Sequence, residues 1–198
     1  MKLVLATQNP KKLKEMNEIL SHLGVEVVSE AELGVRIEVE ETGETFTDNA
    51  HLKATAVMQA TGLPAVADDS GLCVDALNGG PGVYSARFGG EGLDDKGRYT
   101  LLLEMLRGQT DRAAHFHTSI VCAFPNGDEL VCEGECPGTI AFAPMGEGGF
   151  GYDPVFFVPE LRKTFGQLTA EEKASVSHRG KALRAFAAAL DDYLKGNE

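Results

Sequence analysis

The chain has 198 residues, of which 43% are hydrophobic and 24% are charged, a composition that excludes a disordered or fibrous protein. Its formal net charge of −12 argues against a nucleic-acid partner, since proteins that bind nucleic acids present basic surfaces to the phosphates. The N-terminal apolar run covers only residues 3–6, too short for a signal peptide or a membrane span, so we expect a cytoplasmic protein without a membrane partner. One domain over residues 1–198 is expected, with a two-lobed arrangement as an alternative.

The cysteines give no sign of a metal site or a disulfide framework. They are Cys73, Cys122, Cys132 and Cys136, and none of them belongs to a CxxC pair. We therefore expect reduced, buried thiols, as is usual for an intracellular chain of this size.

The first sixty residues alternate between strand and helix patterns. Apolar runs predict strands over residues 2–6 and 25–28, and helical spacing predicts a second helix over residues 46–61. The first helix lies between the two strands, and its apolar positions are Leu13, Met16, Leu20 and Leu23. The order strand, helix, strand is typical of α/β proteins.

Strand patterns dominate the middle of the chain. We expect a short strand over residues 65–67, another extended piece over residues 72–77, and a glycine-rich loop over residues 79–90. Residues 116–124 and 129–134 are rich in β-forming residues and are joined by an Asn-Gly turn, which predicts a hairpin. The predicted sheet is therefore mixed.

Two helices and one more strand complete the prediction. Asp94 is a candidate N-cap for one helix, and Thr169 with Glu172 forms a capping-box pattern for the other. The second helix reaches about residue 194, with an interruption near residue 180 as an option. The strand between them covers residues 155–158.

A polar turn between the first strand and the first helix is one candidate site. Free backbone N–H groups, the helix dipole and two lysines there favour phosphate binding, although the sequence GxxxxGK[ST] of a Walker A loop is absent. An ordinary turn followed by a solvated basic face is the alternative. The residues of the turn are Thr7, Gln8, Asn9, Pro10, Lys11 and Lys12.

The acidic pair Asp68-Asp69 follows the short apolar strand of residues 65–67. Consecutive strand residues point to opposite faces, so only one of the two carboxylates is expected to enter a given site. Ligands tend to bind at the carboxyl ends of strands in α/β folds. A turn, which Asp, Ser and Gly favour, is equally compatible with this stretch.

Glutamates crowd the segment before the helix that bears Lys53. Oxygen ligands suit Mg²⁺, which typically takes one or two carboxylates plus substrate phosphates and waters. A solvated acidic face is the alternative. The glutamates are Glu38, Glu40, Glu41 and Glu44.

Two segments near the C-terminus offer groups for a flat ligand such as a nucleobase. One combines aromatic rings and a carboxylate between glycines, although its rings are equally compatible with the core. The other offers donors near a helix start, which are equally compatible with surface charges. The candidates are Phe150, Gly151, Tyr152, Asp153, Lys173, His178 and Arg179.

Several sequence blocks occur together over nearly the whole chain: ADDSGL with PGVYSAR, GGFGYDPVFFVP, and EEKASVSHRGKAL. In these blocks the sequence resembles the inosine triphosphate pyrophosphatase, or Ham1-like, family. The resemblance implies an elongated, two-lobed α/β fold around a long mixed β-sheet flanked by helices, with the nucleotide in the cleft and a homodimer as the assembly. It also implies Mg²⁺-dependent hydrolysis of ITP, dITP and XTP to the monophosphate and pyrophosphate, which removes these nucleotides from the pool.

The first motif of this family reads T-G-N-x-x-K. Thr7, Asn9 and Lys12 match it, whereas Gln8 stands where the family has glycine. Glycine permits close backbone approach or a positive φ, so the departure bears on the role of Gln8 itself.

The same matching implies roles for the acidic residues and for Lys53. Asp69 matches the proton acceptor and a metal ligand, Glu41 a second metal ligand, and Lys53 a catalytic, phosphate-contacting residue. Ser70 matches a substrate-binding position, and Arg87 is a weaker phosphate candidate. The candidates between residues 150 and 179 match base-recognition positions.

Some alternatives stay open at this point. A carboxylate bound to Mg²⁺ is a poorer base, so the two roles of Asp69 compete, and Glu40 is an alternative to Glu41 as a ligand. A metal-dependent phosphomonoesterase or sugar-nucleotide hydrolase would also use Asp69 but would release orthophosphate. A nucleotide sensor would bind without turnover.

Overall fold

The structure is a computed structural model that describes residues 1–7 and 9–196. Among these residues, no helix is both long and apolar enough to cross a lipid bilayer. The strands are β1 (Lys2–Leu5), β2 (Glu26–Ser29), β3 (Ala65–Val74), β4 (Gly80–Pro81), β5 (Ala113–Ala123), β6 (Glu129–Ile140), β7 (Phe156–Val158) and β8 (Lys163–Thr164). The α-helices are α1 (Pro10–Leu20), α2 (Phe46–Thr61), α3 (Asp95–Met105), α4 (Ala170–Val176) and α5 (His178–Gly196).

These strands form one mixed sheet. Its order is β2-β1-β3-β5-β6-β7-β8, and β4 pairs with β3. Strand β1 runs parallel to both β2 and β3, whereas β4 is antiparallel to β3, and β7 is antiparallel to β6 and β8. The predicted α/β fold with a mixed sheet and flanking helices is confirmed.

The chain divides into two compact units. The first comprises Met1–Asp69, Thr118–Gly134 and Lys181–Glu198. The second comprises Ser70–His117 and Glu135–Gly180.

Strands β1 and β3 in the first unit bury their two faces against different helices. The side chains on the α1 face include Leu3, Leu5, Val66, Met16 and Leu20. The side chains on the α2 face include Val4, Ala65, Ala67, Ala50, Ala54 and Val57. Successive residues of β3 therefore alternate between the α1 face and the α2 face.

An aromatic cluster lies at the centre of the core of the second unit. The ring of Phe116 lies 4.6 Å from that of Phe156 and 5.6 Å from that of Phe165, measured between centroids. Leu72, at the far end of β3, is buried in the same core.

Helix α2 has the bounds that the sequence predicted. Thr45 caps it, because the Thr45 side chain accepts a hydrogen bond from Asp48 N while the Asp48 side chain accepts one from Thr45 N. Gly62 ends it in the left-handed conformation, at φ 67°.

Strand β3 is longer at its centre than predicted. The sequence predicted two extended pieces, over residues 65–67 and 72–77, whereas residues 65–74 form one strand of 10 residues and Asp75–Leu77 form a 3₁₀-helix. The pair Asp68-Asp69 lies inside this strand, because pairing with neighbouring strands and burial of Leu72 and Val74 outweigh the turn preference of Asp, Ser and Gly. The predicted loop over residues 79–90 was also partly wrong, since it contains β4 and a 3₁₀-helix over Gly82–Arg87.

The C-terminal helical region is interrupted, as the sequence allowed, but at Ser177. This residue has an extended backbone, and its Oγ accepts a hydrogen bond from Gly180 N at 3.1 Å. The four cysteines, all among the described residues, form no disulfide: Cys73 is half-buried and the other three are buried.

Candidate active site

The carboxylates of Asp68 and Asp69 point to opposite faces of β3 because the two residues are neighbours in one strand. The Asp68 side chain lies on the α1 face of β3, where its Oδ2 accepts a hydrogen bond from Lys12 Nζ at 2.7 Å. This side chain is only 3% exposed. The Asp69 side chain lies on the α2 face of β3, where its Oδ2 accepts a hydrogen bond from Asn49 Nδ2 at 3.2 Å. Each carboxylate therefore meets a different helix.

Lys53 of α2 joins three acidic or polar groups. Its Nζ donates to Glu41 Oε1 and to the backbone oxygen of Asp68, both at 2.8 Å, and lies 3.5 Å from Asp69 Oδ1. Glu41 and Asp69, the two metal ligands implied by the family resemblance, thus share one ammonium group. The structure brings together the acidic cluster that the sequence only suggested.

None of the neighbouring glutamates is shown to bond Lys53, although Glu38 lines the same cavity as that lysine. Glu38 pairs with Arg36 at 3.4 Å, and Glu40 and Glu44 are exposed. Glu41 is therefore the member of this run that the structure places beside Lys53.

The donor set fits a magnesium ion. Residues 1–7 and 9–196 contain no group of three or more His, Cys, Asp or Glu side chains arranged to hold a metal. Two carboxylates, Glu41 and Asp69, nevertheless match what Mg²⁺ takes from a protein when substrate phosphates and waters supply the remaining oxygens.

Burial and neighbouring charges shift the pKa values of Asp69 and Lys53. Burial raises the pKa of Asp69; the Lys53 ammonium opposes this and the Glu41 charge adds to it, and the net direction is upward. Burial alone lowers the pKa of Lys53, but its attraction to Asp69 and Glu41 prevails and raises it. Lys53 therefore stays protonated, while Asp69 gains from any further cation placed beside it.

The turn after β1 leads into α1, whose Lys12 meets Asp68 on the opposite face of β3 from Asp69. Asn9 caps α1, with its Oδ1 accepting a hydrogen bond from Lys11 N at 2.9 Å, and its own N–H donates to Thr7 Oγ1 at 3.2 Å. Pro10 and Lys11 are exposed, so Lys12 is the residue of this turn shown to contact β3. Gln8 lies outside the described residues. A cavity of about 330 Å³ has Thr7 and Lys53 among its lining residues.

The second unit holds the aromatic candidates. Phe150 is 76% exposed, whereas Tyr152 is buried and its hydroxyl donates to Ser85 O at 2.7 Å. The Tyr152 ring therefore takes the core position that the sequence left open as an alternative, and Phe150 is the exposed ring of the two candidates.

A lysine–carboxylate pair lies beside the Phe150 ring. Lys173 Nζ donates to Asp153 Oδ2 and lies 4.7 Å from the centroid of the Phe150 ring. Asp153 Oδ2 also accepts a hydrogen bond from Phe150 N at 2.9 Å. Burial raises the pKa of Asp153, against the opposing effect of Lys173.

Gly149 makes this arrangement possible. It has φ 78°, and a Cβ atom there would lie 1.9 Å from Asp153 Oδ2. Gly151, at φ 60°, donates its N–H to Asp95 Oδ2 at 2.7 Å, which ties the loop to α3.

The remaining candidates take different places. His178 begins α5 and stacks on Phe116 with 4.7 Å between ring centroids, and Arg179 follows it, half-buried. Ser70 is half-buried in β3. Arg87 is exposed, with its guanidinium carbon 5.2 Å from the centroid of the Tyr84 ring.

Sequence reasoning missed Asn49, the fully buried amide that contacts Asp69. A signal was present: Phe46, Ala50, Ala54 and Val57 define the buried face of α2, and helical spacing places residues 49 and 53 on the same face. Polar residues on an apolar helix face mark groups with buried partners.

These features define an α/β protein with a mixed sheet and a lysine–carboxylate cluster formed by strand β3, helix α2 and the segment before α2. The chain belongs to the Ham1 family, whose sequence model matches residues 3–189. The family identified from the sequence blocks is therefore confirmed.

Individual relatives match along nearly the full chain. A dITP/XTP pyrophosphatase from an Exiguobacterium species is 50% identical over 196 residues, which cover 99% of this chain and 100% of that protein. One from Desulforamulus reducens is 54% identical over 186 residues, covering 93% and 92% of the two chains. The solved structure of the Staphylococcus aureus Ham1 protein superposes with a TM-score of 0.92 at 41% identity and covers 100% of both chains.

Proposed function

We propose that this protein hydrolyses non-standard purine nucleoside triphosphates, namely ITP, dITP and XTP, to the monophosphate and pyrophosphate, and so removes them from the nucleotide pool. One observation carries the proposal: Lys53 lies between Glu41 and Asp69. It occurs in a chain that is 50% identical, over 196 residues, to a dITP/XTP pyrophosphatase.

Glu41 and Asp69 are the residues that would hold Mg²⁺. When bound, the ion supplies charge neutralisation at the phosphate oxygens and at the pyrophosphate leaving group. Lys12 and Lys53 add two positive charges on the same substrate, and both are already oriented by Asp68, one through its side chain and one through its backbone oxygen.

Asp69 has two roles that compete. Hydrolysis adds one water across the anhydride bond between the α- and β-phosphates, and a carboxylate near that bond can orient the water or accept its proton. The raised pKa of Asp69 makes it a better base than an ordinary aspartate. We rank the metal-ligand role first, because a bound cation relieves the cost of burying this carboxylate charge.

Base recognition falls to the second unit. Phe150 offers an exposed ring for stacking, with Gly151 and Asp153 in the same loop, and Lys173, His178 and Arg179 supply donors. Donors favour the 6-keto group of hypoxanthine and xanthine over the 6-amino group of adenine, and an unpaired buried donor discriminates by about 10⁴-fold in favourable sites. Guanine also has a 6-keto group, so rejection of GTP requires an unfavourable contact at its 2-amino group.

The proposal also covers the domain organisation, the assembly, the localisation and the partners of the protein. Residues 1–198 act as one functional domain in a cytoplasmic homodimer. The net charge of −12 argues against a nucleic-acid partner, and the proposal includes no membrane partner.

A substrate panel tests the proposal. ITP, dITP, XTP, GTP and ATP are supplied with Mg²⁺, and pyrophosphate is quantified separately from orthophosphate. We expect pyrophosphate from ITP, dITP and XTP, little product from GTP and ATP, and loss of turnover with EDTA. Orthophosphate as the first product would identify a phosphomonoesterase instead, and binding without product would identify a sensor.

A further inference from the structure

Asn49 makes two contacts that connect different parts of the first unit. Its side chain is 0% exposed. The amide oxygen accepts a hydrogen bond from Gly43 N at 2.8 Å, and the amide nitrogen donates to Asp69 Oδ2 at 3.2 Å. One planar group therefore links the segment that carries Glu41 to the strand that carries Asp69.

We propose that Asn49 is a positioning residue that holds Glu41 and Asp69 in the arrangement that the metal requires. This inference rests on the proposed function, since it assigns to Asn49 the alignment of the two ligands named there. Asn49 acts through these residues and contacts neither substrate nor metal itself.

The segment that carries Glu41 has no regular secondary structure of its own. Residues 35–42 belong to no helix or strand, so their position depends on contacts with neighbouring elements. Glu41 is fixed through Lys53 on one side and, two residues later, through the Gly43–Asn49 bond. Loss of that bond would release the backbone two residues after Glu41 from its contact with the buried amide.

Gly43 fits closely against the start of α2. A Cβ atom there would lie 2.5 Å from Asp48 Cβ, 2.7 Å from Asn49 Oδ1 and 2.9 Å from Asn49 N. The absence of a side chain lets the backbone of this segment reach the buried amide. The contact is thus a close backbone approach with little room for adjustment.

A second asparagine shows what a purely structural amide looks like in the same unit. Asn17 Nδ2 donates to the backbone oxygens of Leu13 and Val27, both at 3.2 Å. Asn49 differs because its nitrogen is directed at Asp69, a carboxylate that the proposed reaction uses. Asn17 therefore provides a matched control.

The test uses Asn49→Ala, Asn49→Asp and the control Asn17→Ala in the full chain. Binding of Mn²⁺ is followed by the EPR signal of the free ion, in the presence of a dITP analogue with a non-hydrolysable α–β bridge. The kcat and KM for dITP are measured at saturating Mg²⁺. Circular dichroism and thermal unfolding in EDTA establish that each variant is folded.

We expect Asn49→Ala to weaken Mn²⁺ binding and to lower kcat, each by about 10- to 100-fold, with little change in KM. Asn49→Asp keeps the acceptor for Gly43 N but sets a carboxylate against Asp69, so its kcat should fall at least as far. Asn17→Ala should lose thermal stability and keep wild-type Mn²⁺ binding and kcat.

The inference would be overturned if both Asn49 variants kept wild-type Mn²⁺ binding and kcat. It would also be overturned if neither variant folded in EDTA, because Asn49 would then have a structural role. If only one of the two Asn49 variants folds, Mn²⁺ binding and kcat of that variant decide whether Asn49 positions the two ligands. A wild-type protein that binds Mn²⁺ with the analogue but releases no pyrophosphate would remove the proposed function, and Mn²⁺ binding by the variants would still decide the role of Asn49.

Discussion

The two units carry candidate sites built in different ways. In the first unit, Lys12, Lys53 and Asp69 belong to two helices and a strand, and each charged group has a charged or amide partner at a fixed distance. In the second unit, Phe150 and Asp153 belong to a loop in which Gly149 and Gly151 adopt positive φ. Regular elements thus hold Lys12, Lys53 and Asp69, whereas a glycine-dependent loop holds Phe150 and Asp153.

The difference predicts different kinetic effects. Groups assigned to chemistry should change kcat, because they act most strongly in the transition state, whereas groups that contact the base should change KM. The following substitutions test this separation.

The largest effect is expected for Asp69→Asn. Loss of the carboxylate should lower kcat for dITP by about 10²-fold or more, whether Asp69 binds the metal or activates water. Release of pyrophosphate measures it, with Asp75→Asn, an exposed aspartate just beyond β3, as the control. Near-wild-type turnover of Asp69→Asn at saturating Mg²⁺ would contradict both roles.

Phe150→Ala should act on KM. Stacking of a base on an aromatic ring contributes about 1–3 kcal/mol, so KM for dITP should rise roughly tenfold while kcat changes little. Phe142 is 82% exposed and not a site candidate, so Phe142→Ala is the control. A fall in kcat at constant KM would show that the ring serves the chemistry.

Two glycines of the same loop give a smaller, matched comparison. Gly149→Ala and Gly151→Ala both place a side chain at positive φ, which costs roughly 1–2 kcal/mol. Only Gly149→Ala also collides with Asp153. Urea unfolding and KM for dITP should therefore change more for Gly149→Ala, and equal effects would show that the loop adapts without moving Asp153.

The smallest effect concerns stability. The pKa of Asp69 is raised in the folded protein, so the folded state favours the protonated carboxyl group. The stability that this group contributes is complete below its unfolded pKa of about 3.9, and it is lost as the pH rises through its folded pKa. Asp69→Asn, which stays neutral, should therefore be more stable than wild type at pH 7 by about 0.5–2 kcal/mol, with the difference vanishing at low pH. Urea unfolding in EDTA measures it; a less stable variant at pH 7 would show that the Lys53 pair outweighs burial.

The sequence predicted best where local signals decide the structure. Helix α2 was bounded correctly because its start and its final glycine are both set within a few residues of the chain. Strand β3 was misjudged because Asp68 to Gly71 favour turns locally, whereas pairing with distant strands keeps them extended.

In the candidate site, too, contacts between distant parts of the chain could not be predicted from the sequence. Family resemblance named Lys12 and Asp69, but the partners of each depend on the fold: Lys12 meets a carboxylate 56 positions away. Tyr152 matched the family's motif, yet its ring is buried against Ser85, which no local pattern reveals. Long-range packing decides which member of a motif faces solvent.

The alternation of β3 has a consequence for insertions and deletions. Asp68 and Asp69 take their directions from their register in one continuous strand, so a deletion of one residue between Ala65 and Asp68 would turn each carboxylate toward the helix that now serves the other. Composition would barely change, yet Lys12 would lose the Asp68 carboxylate and Lys53 would lose the Asp69 carboxylate. Substitutions in this stretch change one contact at a time, whereas a change in length disrupts all of them at once.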